Sequence, residues 1–151
     1  MIRDDIKSAL VGAMKGGDKD TVATLRMVQS SVLNRDIELR TASVQPEDDL
    51  LVTEVLQKMI KQRRESVEMY TKGNRAELAA IETAEIAVIE RFMPAQMSED
   101  EAKTEIAALI AETGASSMKD MGRVMALVRE RHATSIEPAR ASVLVKVLLS
   151  Q

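Results

Sequence analysis

The sequence predicts an all-α protein, a four-helix N-terminal domain over residues 1–93 followed by a small three-helix tail over 98–151. Three observations carry that expectation. Apolar residues recur at three- and four-residue steps along the chain, and the period-two alternation of half-buried strands is absent. Tyr70 and Phe92 are the only aromatic residues, so the core has to be built from Leu, Ile, Val, Ala and Met, which suit helices lying side by side. The breakers stand between the periodic stretches. The sharpest is Phe92-Met93-Pro94-Ala95-Gln96-Met97, where proline removes a donor and disfavours helical geometry at the residue before it.

In chain order, Ile2, Ile6, Leu10, Ala13 and Met14 make a short amphipathic helix, with Asp4 and Asp5 at its positive end. Gly16 and Gly17 stop it, and Asp18 caps the next. That second helix runs to about Arg40, with Val22, Leu25, Val28, Val32 and Leu39 inside. Pro46 marks the start of a long third helix, whose apolar stripe is Val52, Val55, Leu56, Met59, Ile60, Val67 and Tyr70. Gly73 ends it. Asn74 is then read as the cap of a fourth helix, with Glu77 reaching back as in a capping box and Leu78, Ile81, Val88, Ile89 and Phe92 facing inward.

Beyond the proline, Ser98 and Glu101 form a Ser-x-x-Glu box at the head of a fifth helix with Ala102, Ile106, Leu109, Ile110 and Thr113 inside. The sixth starts near Ser117, with Met118, Met121, Val124, Met125 and Val128 inward. Gly122 and Ala126 on it leave room for another backbone. The seventh starts near Pro138 and buries Ala141, Leu144, Val145 and Leu148.

The third helix organises the chain and carries a dense cationic cluster, Lys58, Lys61, Arg63 and Arg64. Lys58 and Lys61 fall on its polar side. Arg63 and Arg64 border or enter the apolar stripe. Aliphatic stems snorkelling over the core edge are the commoner arrangement; a guanidinium partly buried against a carboxylate is the sharper one, with Glu82 or Glu85 of the fourth helix as partner.

Composition excludes several classes of function. Without cysteine there is no disulfide, thiol nucleophile or thiolate metal site, and the single histidine, His132, rules out sites needing two imidazoles. No metal and no cofactor is expected. No apolar run approaches the roughly 20 residues of a membrane helix, and the N-terminus lacks a secretory pattern, which reads as a soluble cytoplasmic protein without membrane contact. Net charge is −3, and residues 98–151 hold seven basic against eight acidic side chains, so contact with nucleic acid requires a local patch.

No glycine-rich phosphate loop and no G-x-S-x-G elbow occurs. Ser116, Ser117 and Lys119 invite comparison with the Ser-Ser-Lys relay of amidases, yet such relays are gathered from distant segments, and a helix cap accounts for these neighbours. Asp48 and Asp49, like Glu99, Asp100 and Glu101, stand in first helical turns where the dipole favours them. His132 follows Arg129 and Arg131 at a helix C-terminus and reads as a solvated end. The tail's candidate nucleic-acid-binding residues are Lys119, Arg123, Arg129, Arg131, Arg140 and Lys146.

Five ordered segments then carry a resemblance over essentially the whole chain: TLRMVQSSVLNRDIE (24–38), VLQKMIKQRRES (55–66), ETAEIAVIERFMPAQMSEDE (82–101), TGASSMKDMGRVM (113–125) and ASVLVK (141–146). Together they resemble the stand-alone YqeY-like proteins of the GatB/YqeY family. The resemblance implies a helical domain and a three-helix tail similar to that of the GatB subunit of tRNA-dependent amidotransferase, a tail that grips the body of tRNA. It implies tRNA association for residues 98–151. It does not carry catalysis, because the GatB catalytic domain has no counterpart here, and the family's label of carbon–nitrogen ligase with glutamine as amido donor reads as inherited from the fused enzyme.

Family members usually carry a glycine and then an aspartate between the last two helices, where this chain has Thr134 and Glu137. A local change in that turn is expected, with Ser135 substituting as cap. The leading expectation is a non-catalytic tRNA-binding module with weak affinity. The alternative is a helical protein–protein adaptor docking on an aminoacyl-tRNA synthetase or an amidotransferase.

Overall fold

The computed structural model describes residues 1–151. Seven α-helices account for the fold: α1 (Ile2–Lys15), α2 (Lys19–Glu38), α3 (Asp48–Lys72), α4 (Ala76–Glu90), α5 (Glu99–Thr113), α6 (Met121–His132) and α7 (Pro138–Leu149). Short 3₁₀ turns follow α2 at Leu39–Thr41 and precede α6 at Met118–Asp120. No strand is present. The chain divides into two compact units, Met1–Met93 and Pro94–Gln151.

The first unit is centred on α3, which buries Leu51, Val52, Val55, Leu56, Met59 and Ile60. Ile6 of α1, Leu25, Val28 and Val32 of α2, and Val88 and Ile89 of α4 pack against that stripe. Asp18 caps α2 as expected: its carboxylate accepts from the Thr21 amide at 3.2 Å and the Thr21 hydroxyl at 2.7 Å. Those two bonds hold the Asp18 carboxyl below the usual carboxylate range.

Polar contacts fasten the N-terminus. The Ile2 amide donates to Asp49 at 3.0 Å. The Arg3 guanidinium donates to Asp36 of α2 at 2.9 and 3.0 Å and to Asp48 of α3 at 2.7 Å. One side chain thus clasps three helices.

The readings of five residues in this unit need correction. Asn74 is not a cap: α4 begins after Arg75, with no side-chain cap bond. Asn74 has φ +57°, and the Arg75 amide donates to Tyr70 O at 2.8 Å while the Asn74 amide donates to Thr71 O at 3.2 Å. That pair of bonds closes α3 with a Schellman turn, in which asparagine takes the left-handed position glycine usually fills. Glu77 accordingly pairs with Arg75 at 3.0 Å instead of boxing a cap. Pro46 stands before the helix start, since α3 begins at Asp48 after Glu47. Met14 and Ile81 point outward, at 52% and 57% exposure, and Ala79 and Ile86 fill the inner face of α4 in place of Ile81.

In the second unit, Ala102, Ile106 and Leu109 of α5, Val124, Met125 and Val128 of α6, and Ala141, Leu144 and Val145 of α7 share one core with Ile136 from the α6–α7 turn. The Ser98 box is complete: the Glu101 amide donates to Ser98 Oγ at 3.1 Å and the Ser98 amide to Glu101 Oε2 at 2.8 Å. Gly114 closes α5 at φ +68°, a conformation other residues rarely adopt.

Met118 is 44% exposed instead of buried, and Leu149 is more buried than Leu148. Gly122 and Ala126 face outward, and no other backbone approaches Gly122. In the α6–α7 turn Thr134 avoids positive φ. The Ser135 hydroxyl turns back to His132 O at 3.5 Å, so it does not cap α7, and Glu137 takes the cap position without a side-chain cap bond.

Candidate nucleic-acid interface

Three of the six cations singled out in the tail are committed within the unit. Arg131 forks onto Glu112 of α5 with two bonds of 2.6 Å, joining α6 to α5. The Arg131 hydrogen bond holds the Glu112 carboxyl below its usual range. Arg140 donates to Met97 O at 2.8 Å, tying α7 to the segment ahead of α5. Arg123 reaches back 3.0 Å to Asp120, the last residue of the 3₁₀ turn ahead of α6. Asp120 itself accepts from the amides of Ser116 and Ser117 at 3.0 and 3.3 Å, which holds its carboxyl low.

Lys119, Arg129 and Lys146 have no acidic partner, and all three are exposed. They lie on the α6–α7 hairpin and the 3₁₀ turn leading into it. The Ser150 hydroxyl donates to Lys146 O at 2.6 Å, and its oxygen lies 3.9 Å from Met118 Sδ. That contact draws the last turn of α7 against the 3₁₀ turn and puts the segments bearing Lys119 and Lys146 side by side. The spacing of Asp120 and Arg123 was readable from sequence; the pairing of Glu112 with Arg131, 19 residues apart, has no local signal.

Ser116, Ser117 and Lys119 form a turn and no relay. Ser117 Oγ accepts from the Lys119 amide at 3.4 Å, and the Ser117 amide donates to Asp120 at 3.3 Å. His132 is not a solvated end. Its side chain is only 15% exposed, and Nε2 lies 3.6 Å from Glu105 of α5.

In the first unit the α3 cluster separates. Lys58 and Lys61 are exposed and unpaired. Arg63 is 14% exposed, donates to Glu85 at 2.8 Å and has Glu82 at 4.0 Å. The Arg63 guanidinium also donates to Met59 O at 3.3 Å and to Met27 Sδ at 3.7 Å. Arg64 stays outside, 3.3 Å from Glu90 with both side chains about half exposed. No helix in either unit is long and apolar enough to cross a membrane.

A family model described as Yqey-like protein matches residues 3–149. An uncharacterised protein of Schizosaccharomyces pombe is 34% identical over 94 residues, 62% of this chain and 72% of its own length. Two fungal proteins called altered inheritance of mitochondria protein 41, mitochondrial, are also similar. The one from Lachancea thermotolerans is 28% identical over 59% of this chain and 46% of its own length. The one from Meyerozyma guilliermondii is 30% identical over 62% and 53%. The matches thus span about half the length of these mitochondrial relatives.

Proposed function

The chain belongs to the YqeY-like protein family, and from that membership we propose a non-catalytic accessory module that associates with tRNA through its three-helix tail. In this reading the four-helix half and the tail act as separate domains, in the cytoplasm. The observation that carries it is the trio Lys119, Arg129 and Lys146, exposed on the α6–α7 hairpin and its lead-in without acidic partners. Such side chains are available to phosphate, whereas Arg123, Arg131 and Arg140 are already spent inside the unit. The case against a free-standing amidotransferase is chemical: the only serine–lysine grouping singled out is a helix cap, and no activated nucleophile accompanies it.

With at most three phosphates engaged, the slope of log affinity against log salt should be roughly two to three, since each duplex phosphate contributes about 0.9. Filter retention of tRNA across a salt series checks this. Reversing Lys119, Arg129 and Lys146 to Glu should abolish retention of different tRNAs alike, because phosphate contacts carry no sequence information. Undiminished retention by the triple variant would refute the reading.

A second reading, a protein–protein adaptor docking on a tRNA-charging or amidating enzyme, draws support from the tail's balance of seven basic against eight acidic residues. That balance gives only a weak long-range pull on RNA.

A further inference from the structure

Arg63 is largely enclosed, yet its three nitrogens end on unequal partners. Nε donates to the Glu85 carboxylate at 2.8 Å and Nη1 to the Met59 carbonyl at 3.3 Å. Nη2 ends on the thioether sulfur of Met27 on α2, 3.7 Å away. Thioether sulfur is a weak acceptor, and a guanidinium held away from water loses most from a poor partner.

Met27 is 39% exposed, so small solutes reach this side chain. Met14 and Met69 are more open, at 52% and 73%, but neither has a cation at its sulfur. Met118 has only the neutral Ser150 hydroxyl beside it. Met59 and Met125 are buried in the two cores. Only at Met27 does an accessible thioether meet a guanidinium. An oxygen on that sulfur, bent toward Nη2, would close the 3.7 Å separation with a hydrogen bond of about 2.9 Å and no shift of either helix.

We propose that Met27 is a reversible oxidation site whose sulfoxide is received by Arg63. In the step, a sulfur lone pair attacks one oxygen of hydrogen peroxide and the O–O bond breaks. The departing hydroxide takes the proton from the transferred oxygen and leaves as water. Sulfur loses two electrons and the peroxide gains them. The sulfoxide oxygen then accepts from Nη2, a charge-assisted bond in place of a weak one. Methionine oxidation usually disrupts, because it carries a polar group into apolar surroundings; methionine sulfoxide reductases undo it. At Met27 the oxygen meets a donor already in position, so oxidation fastens α2 to α3.

Glutamine carries a carbonyl oxygen where the sulfoxide carries its own, which gives a test free of oxidant. Urea unfolding of the full chain compares Met27→Gln with Met27→Leu. The glutamine variant should have a folded-to-unfolded ratio at least about threefold higher. In an Arg63→Lys background that advantage should vanish, because lysine has one nitrogen and Glu85 occupies it. Met14→Gln against Met14→Leu, at an exposed site without a cation, should show no such gain. A second arm treats the unmutated chain sparingly with hydrogen peroxide and follows native-state proteolysis by mass spectrometry. Molecules carrying Met27 sulfoxide should outlast unoxidised ones, molecules carrying Met69 sulfoxide should not, and a methionine sulfoxide reductase should remove the difference. The proposal is overturned if the two Met27 variants are equally stable, or if the glutamine advantage persists in the Arg63→Lys background. Met27 sulfoxide that shortens survival, or a Met27 no more reactive than buried Met59 and Met125, would overturn it as well, whether or not the Arg63→Lys chain folds.

Discussion

Arg63 shows how one residue can decide whether a charged cluster is surface or structure. Its guanidinium is largely buried and held by Glu85, the Met59 carbonyl and the Met27 sulfur, with Glu82 nearby. Removing the cation would leave two carboxylates on the inner face of α4 facing apolar surroundings without compensation. Breaking a buried pair from one side costs about 3–5 kcal/mol, and an exposed pair less than about 1. We therefore expect Arg63→Met to destabilise by about 3 kcal/mol, Arg64→Met by under about 1, and Lys58→Met by under about 0.5. Urea unfolding followed by circular dichroism ranks the three variants. Equal small losses would mean that Arg63 is as well solvated as its neighbours.

At the scale of the element, the α3–α4 turn depends on Asn74 at φ +57°. Asn74→Gly should leave stability nearly unchanged, whereas Asn74→Ser, a good cap but a poor left-handed residue, should cost about 1 kcal/mol. A cap at this position would give the reverse order, so thermal unfolding of the two variants separates the roles. The error over Asn74 has a physical source: asparagine is favoured both at helix starts and in left-handed turns, and only the backbone angle distinguishes them. Ile81 failed for another reason. The inner face of α4 carries Glu82 and Glu85 to meet Arg63, so a search for apolar periodicity steps aside to Ile81 and misses the face that packs. Asp18, Ser98 and Glu101 were legible because capping is local chemistry. The commitment of Arg131 to Glu112 was not, because it needs α5 and α6 already packed.

For the molecule as a whole, the all-α class followed from periodicity, the scarcity of aromatics and the placement of the breakers, while the clasp between Arg3, Asp36 and Asp48 left no trace in the pattern. The Arg3 hydrogen bond holds the Asp36 carboxyl below its unfolded value. A depressed carboxylate contributes stability that is complete above the unfolded pKa, about 3.9, and is lost as pH falls through the lower folded value. Arg3→Met should therefore reduce stability at neutral pH by roughly 1–2 kcal/mol, less than a fully buried pair because these side chains are about one-third exposed. The deficit should shrink below about pH 4 as Asp36 protonates in both proteins. Unfolding free energies measured from pH 7 to pH 3 would show the two curves converging; a constant gap would mean that Arg3 acts through packing alone.

The same clasp has a consequence in time. It joins residues 33 and 45 positions apart in the chain, so it can close only after α2 and α3 have docked. Contacts that form late affect the rate of unfolding far more than that of folding. Losing Arg3 should leave refolding at nearly its original speed and raise the unfolding rate by roughly the whole stability difference, about tenfold for each 1.4 kcal/mol. The N-terminal helix then acts as a latch that sets how long each native molecule lasts before α1 lifts away.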